Sequence, residues 1–199
     1  DGILQEETRL FKQKKNTPLS FYFDDILECA LSCGKERWRL LQAVENARSL
    51  FQKLEKIHKL GNQWRIYLEA AVLLRDVGEM INFHQHEKHS YYIVKNLDLA
   101  AIQKWEIEFI AQLCLLYAKP KESELIETAF WGEKQKVTAF WKLNALLNLV
   151  DALDVGKKYN GAAVQRIKNE PGKVTLYLRS QATTELEVLR IEQKKSTFE

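Results

Sequence analysis

Residues that interrupt helices are scarce in this sequence: 199 residues carry 8 glycines and 3 prolines. Long stretches are therefore free of breakers, which favours a mostly helical protein. Cysteine is sparse too. Cys29, Cys33 and Cys114 are odd in number and not densely spaced, which excludes a disulfide framework. Cys29 and Cys33, four apart, read as buried apolar thiols on a helix, with a redox pair as the other reading. No apolar run can cross a bilayer. The longest, Trp141 to Val150, is interrupted by Lys142, Asn144 and Asn148, whereas a spanning helix needs roughly 20 apolar residues. No signal-peptide pattern opens the chain, so a reducing cytoplasm is the expected compartment and no membrane partner is expected. A large excess of either charge is also lacking: 30 Lys and Arg against 27 Asp and Glu leave a net charge of +3. That balance is compatible with a polyanionic ligand, is too slight to argue for one, and gives no sign of specific nucleic-acid binding.

What is present is ordinary globular material, 46% hydrophobic and 29% charged, enough for one medium domain with or without a small appendage. Apolar residues at helical spacing predict helices over Phe21–Cys33 (Phe23, Ile26, Leu27, Ala30, Leu31), ending at Gly34, and from Trp38 to Ile57 before Gly61. Further helices are predicted over Gln63–Val77, stopped by Gly78, from His84 through Val94, and over Ile102–Tyr117, ended by Pro120. The segment Gln135–Leu153 is apolar on nearly every face and reads as a central buried helix. Then the period changes. Val174, Leu176 and Leu178 alternate with Thr175, Tyr177 and Arg179 behind the turn tetrad Asn169-Glu-Pro-Gly172, which predicts a β-hairpin with Ala163–Lys168. Thr184 and Glu187 have capping-box spacing for a last helix. The expected fold is mostly α, a helical bundle with a small C-terminal β-hairpin plus helix.

Several segments carry a family resemblance. Ala70-Ala-Val-Leu-Leu-Arg-Asp-Val-Gly78 resembles the "AA-LLHD-IG" segment of HD-type phosphohydrolase domains. His86-Glu-Lys-His-Ser-Tyr-Tyr-Ile93 resembles the "HHKHSYYLI" segment of the exopolyphosphatase/guanosine pentaphosphate phosphatase (Ppx/GppA) family. Glu106–Ala111 resembles that family's next helix, Leu146-Leu-Asn-Leu-Val-Asp-Ala-Leu-Asp154 its "LLRLADALD" helix, and Asp1-Gly-Ile-Leu4 the end of its preceding phosphatase domain. The likeness implies an HD-domain-like bundle over residues 19–160, an appendage over 161–199, and a joint at 1–18 to an N-terminal actin-like phosphatase domain. In the family that domain holds the catalytic acids and releases terminal phosphate from polyphosphate, or the 5′-phosphate of guanosine pentaphosphate, with magnesium. The resemblance thus implies no catalytic residue and no cofactor in this chain itself.

A working HD site holds metal through His and Asp side chains, and the metal acidifies a bound water for attack on phosphorus. Aligned with that pattern, Arg39 falls at the first His and Arg75 replaces the His of the His-Asp pair. Asp76 keeps the Asp, and Asp151 stands at the distal Asp. The "YHR" stretch of the family's fifth helix appears as Leu116-Tyr-Ala118. Guanidinium stays protonated and has no lone pair for a metal. Arg39 and Arg75 are therefore expected to neutralise Asp76 and Asp151 as an ion-pair cluster, with Arg39 or Arg75 in the structural place of a metal. His84, His86 and His89 read as lining the start of a helix; the metal reading would use Asp76, His89 and Asp151. Lys12, Lys14, Lys15, Lys88, Lys119, Lys121, Lys134 and Lys136 are candidates for a polyanion path, a solvated face being the plainer reading of each. The tryptophans and Tyr91-Tyr92 read as core.

The expected role is a non-catalytic domain that supports homodimerisation and holds polyphosphate or guanosine pentaphosphate for the phosphatase lobes. Two alternatives stay open: a divergent metal-dependent HD phosphohydrolase, and a helical protein-interaction module.

Overall fold

The computed structural model of the chain describes residues 22–99, 102–117, 126, 129–130, 132–154, 162–170, 173–180 and 185–198. The joint expected at 1–18, with Lys12, Lys14 and Lys15, lies outside them, as do Lys119, Lys121 and the cap position Thr184.

The described helices are α1 (Phe23–Ser32), α2 (Arg37–Lys53), α3 (Glu55–His58), α4 (Arg65–Leu74), α5 (His86–Lys95), α6 (Lys104–Leu116), α7 (Lys134–Leu153) and α8 (Glu185–Phe198). Strands β1 (Ala163–Glu170) and β2 (Lys173–Arg179) pair antiparallel. The helical bundle with a hairpin and a last helix is the architecture the periodicity predicts. The strands run closer to the turn than expected: Asn169 and Glu170 pair with Val174 and Lys173, so only residues 171–172 link them.

α7 is the hub. Phe140, Leu143, Leu147 and Val150 are fully buried along its length, and it packs against α2, α4, α6 and α8. A helix apolar on most faces has no solvent face to offer, which is why it sits where four others can cover it. The hairpin docks on α2 through Asn46, Ser49 and Lys53; the last two donate to the Val164 carbonyl at 3.4 and 3.1 Å, and Asn46 makes two bonds. The Asn46 Nδ2 donates to the Ala162 carbonyl at 2.9 Å and its Oδ1 accepts from the Val164 N–H at 3.3 Å.

The long helix expected up to Gly61 is divided. α2 ends at Lys53 with Leu54 as its C-cap, and the short α3 ends at His58, capped by Lys59, which adopts a left-handed φ of 53°. His58 makes this turn. Its Nε2 meets the Phe51 carbonyl at 2.7 Å, and its Nδ1 accepts from the Leu60 N–H at 3.0 Å. With one nitrogen donating and the other accepting, the ring is neutral and fixed as one tautomer. Two other expectations are corrected. Tyr92 is exposed, because α5 turns Ser90 and Val94 inward instead. Cys29 and Cys33 are only half-buried, near the end of α1. The final turn at Gly34 does match its expected C-cap, with φ +79°.

Candidate functional site

The ends of the helices, not their middles, build the candidate site. Arg75 caps the C-terminus of α4, Tyr117 that of α6 and Asp154 that of α7. Arg39 lies in the first turn of α2, and His86 is the first residue of α5. Carbonyl-rich C-termini carry partial negative charge, so their convergence suits a cation. That cation is Arg75, which is 2% exposed.

Arg75 donates from Nη2 to Asp154 Oδ2 at 2.6 Å. Its Nε lies 3.3 Å from Asp76 Oδ2 and 3.7 Å from Asp151 Oδ1. Arg39 Nε donates to both oxygens of Asp154, at 3.0 and 3.1 Å, and its Nη2 lies 3.0 Å from Oδ2. Lys194, from the distant α8, donates to Asp151 Oδ2 at 2.5 Å, and Lys35 donates to Glu79 Oε2 at 2.5 Å. Lys35, Arg39, Arg75 and Lys194 thus face Asp76, Glu79, Asp151 and Asp154. Charge against charge, the site is closed on itself.

The titration of these groups follows from that balance. Burial would lower the Arg75 pKa, but Asp76, Asp154 and Asp151 outweigh it and hold the guanidinium charged. Burial alone would raise Asp76; the Arg75 charge, His86, Lys35 and Tyr117 hold its carboxyl far below the usual carboxylate range. Burial also opposes Arg39, and Asp154 more than compensates. Lys194 is the exception: burial pulls its pKa down despite Asp151.

On the far side of Asp76 sits a histidine–tyrosine pair. Tyr117 OH donates to Asp76 Oδ1 at 3.0 Å. His86 Nε2 lies 2.9 Å from that hydroxyl and 3.5 Å from Asp76 Oδ1, and its Nδ1 is 3.1 Å from the Phe83 carbonyl. A hydroxyl already donating and a carbonyl both want a donor, so this surrounding favours the doubly protonated ring. The His86 pKa is accordingly raised, first by Asp76 and then by Phe83. Because the folded pKa exceeds the unfolded one, this stabilisation is complete below about pH 6.5 and is lost as pH rises through the folded value. We expect the melting temperature of His86→Gln to fall below that of the unaltered chain by a few degrees at pH 5.5, with the gap narrowing toward pH 9. A gap that widens with pH would contradict the arrangement.

Of the residues singled out from sequence, Arg39, Arg75, Asp76, His86 and Asp151 come together. The pairing differs from the expected one: Arg39 binds Asp154 rather than Asp76 or Asp151, and Asp151 is shared by Arg75 and Lys194. His89 is not in the cluster; its Cβ lies behind Gly78, against the 3-10 turn Val77–Met80. His84 and Lys88 are exposed on the surface. Lys134 is exposed, whereas Lys136 is engaged by Glu133 at 2.6 Å and by the Trp105 ring at 3.9 Å. Sequence reasoning missed Asp154, Tyr117, Lys35, Glu79 and Lys194. Of these only Asp154 carried a signal, three residues beyond Asp151 on the same helix face.

Among the described residues, Asp76, Glu79 and His86 are the set whose ligand atoms converge, within 4.8 Å of one another. This differs from the Asp76, His89 and Asp151 of the metal reading. The donors do not suit a divalent cation, because Glu79 already carries the Lys35 ammonium and Asp76 lies against Arg75. Beside the cluster, Lys35, Arg39, Arg75, Asp76 and Asp154 line a cavity of about 20 Å³. That is room enough for a water.

The model of the family described as Ppx/GppA phosphatase, domain III, matches residues 41–193. The chain belongs to the Ppx/GppA phosphatase family. The matched stretch contains Arg75, Asp76, His86, Asp151 and Asp154, and begins just after Arg39. Among curated proteins it is similar to the guanosine-5′-triphosphate,3′-diphosphate pyrophosphatase of Photobacterium profundum, with 29% identity over 94 residues. That alignment takes in 45% of this chain and 19% of the relative. As a Ppx/GppA domain III, the chain has no helix among its described residues long and apolar enough to cross a membrane.

Proposed function

We propose that this Ppx/GppA domain III is a non-catalytic scaffold: it serves the phosphatase lobes of its enzyme, helping to hold a polyphosphate or nucleotide polyphosphate and supporting a homodimer. The observation that carries this reading is Arg75. A fully charged, buried guanidinium occupies the middle of the HD-like carboxylate cluster, where a metal-dependent hydrolase needs a lone pair. Magnesium would then act in the lobes, bound by groups outside this chain. The polyanion would lie on the surface, since the cations of the buried cluster are already paired with its own carboxylates. Lys88 and Lys134 are exposed for such contacts, and Lys12, Lys14, Lys15, Lys119 and Lys121 are proposed beside them.

The convergence of Asp76, Glu79 and His86 is the observation that favours the alternative, a divergent metal-dependent hydrolase. Calorimetric titration separates the two. We expect no saturable binding of manganese or zinc in the micromolar range. We also expect binding of a polyphosphate chain that weakens steeply between low and physiological salt, because exposed charges are screened over about 10 Å at 0.1 M. Micromolar metal binding abolished by Asp76→Asn would overturn the scaffold reading. Polyphosphate binding insensitive to salt, or absent at low salt, would remove its substrate-holding half.

A further inference from the structure

The excess positive charge of the chain has one location. Residues 163–179 hold Arg166, Lys168, Lys173 and Arg179 against Glu170 alone, a net charge of +3, the same as that of all 199 residues. Outside the β-hairpin the formal charges balance. The pleat then sorts the hairpin by face, because successive side chains on a strand point to opposite sides. Ile167, Val174, Leu176 and Leu178 pack against the core. Lys173, Thr175, Tyr177 and Arg179 of β2 share the other face, where Arg166 stands opposite Tyr177 and Lys168 opposite Thr175. All four cations are exposed.

In the middle of this face Tyr177 is 39% exposed, with the Arg166 guanidinium carbon 4.2 Å from its ring centroid. The charge here is not cancelled as it is around Arg75. Lys168 has Glu170 at 3.0 Å; among the described residues Arg166, Lys173 and Arg179 have no acid within ion-pair reach. Side chains two apart on one strand are about 6.6 Å apart, so the cations form an extended row that can track a chain of phosphates. Inorganic polyphosphate would use that row and leave the ring idle. A nucleic-acid strand would use both, since bases stack on aromatic rings and on guanidinium planes. A duplex keeps its bases stacked on one another and offers none to Tyr177.

We propose that the outward face of the hairpin binds single-stranded nucleic acid without sequence preference. The phosphates meet Arg166, Lys173 and Arg179, with Lys168 beside them, and one base stacks on the Tyr177–Arg166 pair. This goes beyond the scaffold reading and does not rest on it. With three unpaired cations, log affinity should fall against log salt with a slope of about −2.

Fluorescence anisotropy of a labelled thymidine oligomer of about 12 nucleotides, titrated with the chain, reads the result. We expect saturable binding at low salt that weakens about tenfold or more between roughly 50 and 200 mM. Tyr177→Ile removes the ring and keeps a strand-favouring side chain; it should weaken binding about fivefold or more, the loss of one stacked base. Tyr177→Phe should bind as the unaltered chain does. Lys173→Glu with Arg179→Glu should abolish binding. These positions are exposed, so circular dichroism should stay unchanged. No binding at low salt overturns the proposal. So does binding that ignores Tyr177→Ile, or a duplex bound as tightly as the single strand; either would mark the face as one for any polyanion. The scaffold reading survives all of these failures, since metal and polyphosphate titration of the unaltered chain decides it.

Discussion

Arg75→Ala is expected to destabilise the fold by about 3–5 kcal/mol, the loss typical of removing one partner from a buried charge cluster. The reason is what remains rather than what is removed. Asp76, Asp151 and Asp154 all point at the guanidinium, and Lys194 and Arg39 would be left to balance them. A carboxylate held in the interior without its cation is costly unless it takes up a proton. The variant should therefore also lose stability more steeply than the unaltered chain as pH rises above the carboxylate range, because folding would then require ionised acids in an uncompensated site. Arg39→Ala provides the contrast. Arg39 is partly exposed, and Asp154 would keep its 2.6 Å bond to Arg75, so about 1 kcal/mol is expected. Urea unfolding of the two variants tests the ranking. Equal losses would show that the centre of the cluster is not Arg75, and an Arg75→Ala loss under about 1 kcal/mol would show that water reaches these acids freely.

How much of this could be read beforehand depends on how local the signal is. The helices that surround the site follow from periodicity, and the approach of Arg75 to Asp76 is a neighbour relation. Asp151 and Asp154 share a face because they are three apart, and a search along α7 for acids at that spacing would have found the second. Lys194 is different. It meets Asp151 across 43 positions of sequence, and nothing in the pattern of α8 announces it; amphipathic reasoning would have turned Leu186 and Leu189 inward and Lys194 out. The same holds for Lys35 and Glu79, a pair separated by 44 positions. Long-range ion pairs leave no period in a sequence. The division of α2 from α3 was hidden for another reason: the left-handed residue is Lys59, not the glycine two positions later, and the buried ring of His58 bridging Phe51 and Leu60 makes it possible.

Gly78→Ala should cost about 3 kcal/mol or more, the upper range of overpacking a closed site. The sequence suggests only a helix stop at Gly78. In the structure it is a contact point: a Cβ there would fall inside 3.0 Å of the His86 carbonyl oxygen, the Ser90 nitrogen and the His89 Cβ. Two of these are main-chain atoms of α5, so no side chain can rotate to make room. The helix itself must retreat. Ser90 makes that retreat expensive, because its hydroxyl accepts from the Gly78 N–H at 2.9 Å and donates to the Arg75 carbonyl at 2.7 Å. Moving α5 breaks both bonds in a buried place and leaves a main-chain donor and acceptor unpaired, roughly 1–3 kcal/mol for each group. It would also draw His86 away from Asp76 and Tyr117. A second readout follows that general destabilisation would not produce: in the folded variant, the His86 titration observed by NMR should move back down toward the ordinary value near about 6.5. A Gly78→Ala chain as stable as the original, with His86 titrating unchanged, would mean that α5 does not lie against the Val77–Met80 turn as closely as this crowding requires.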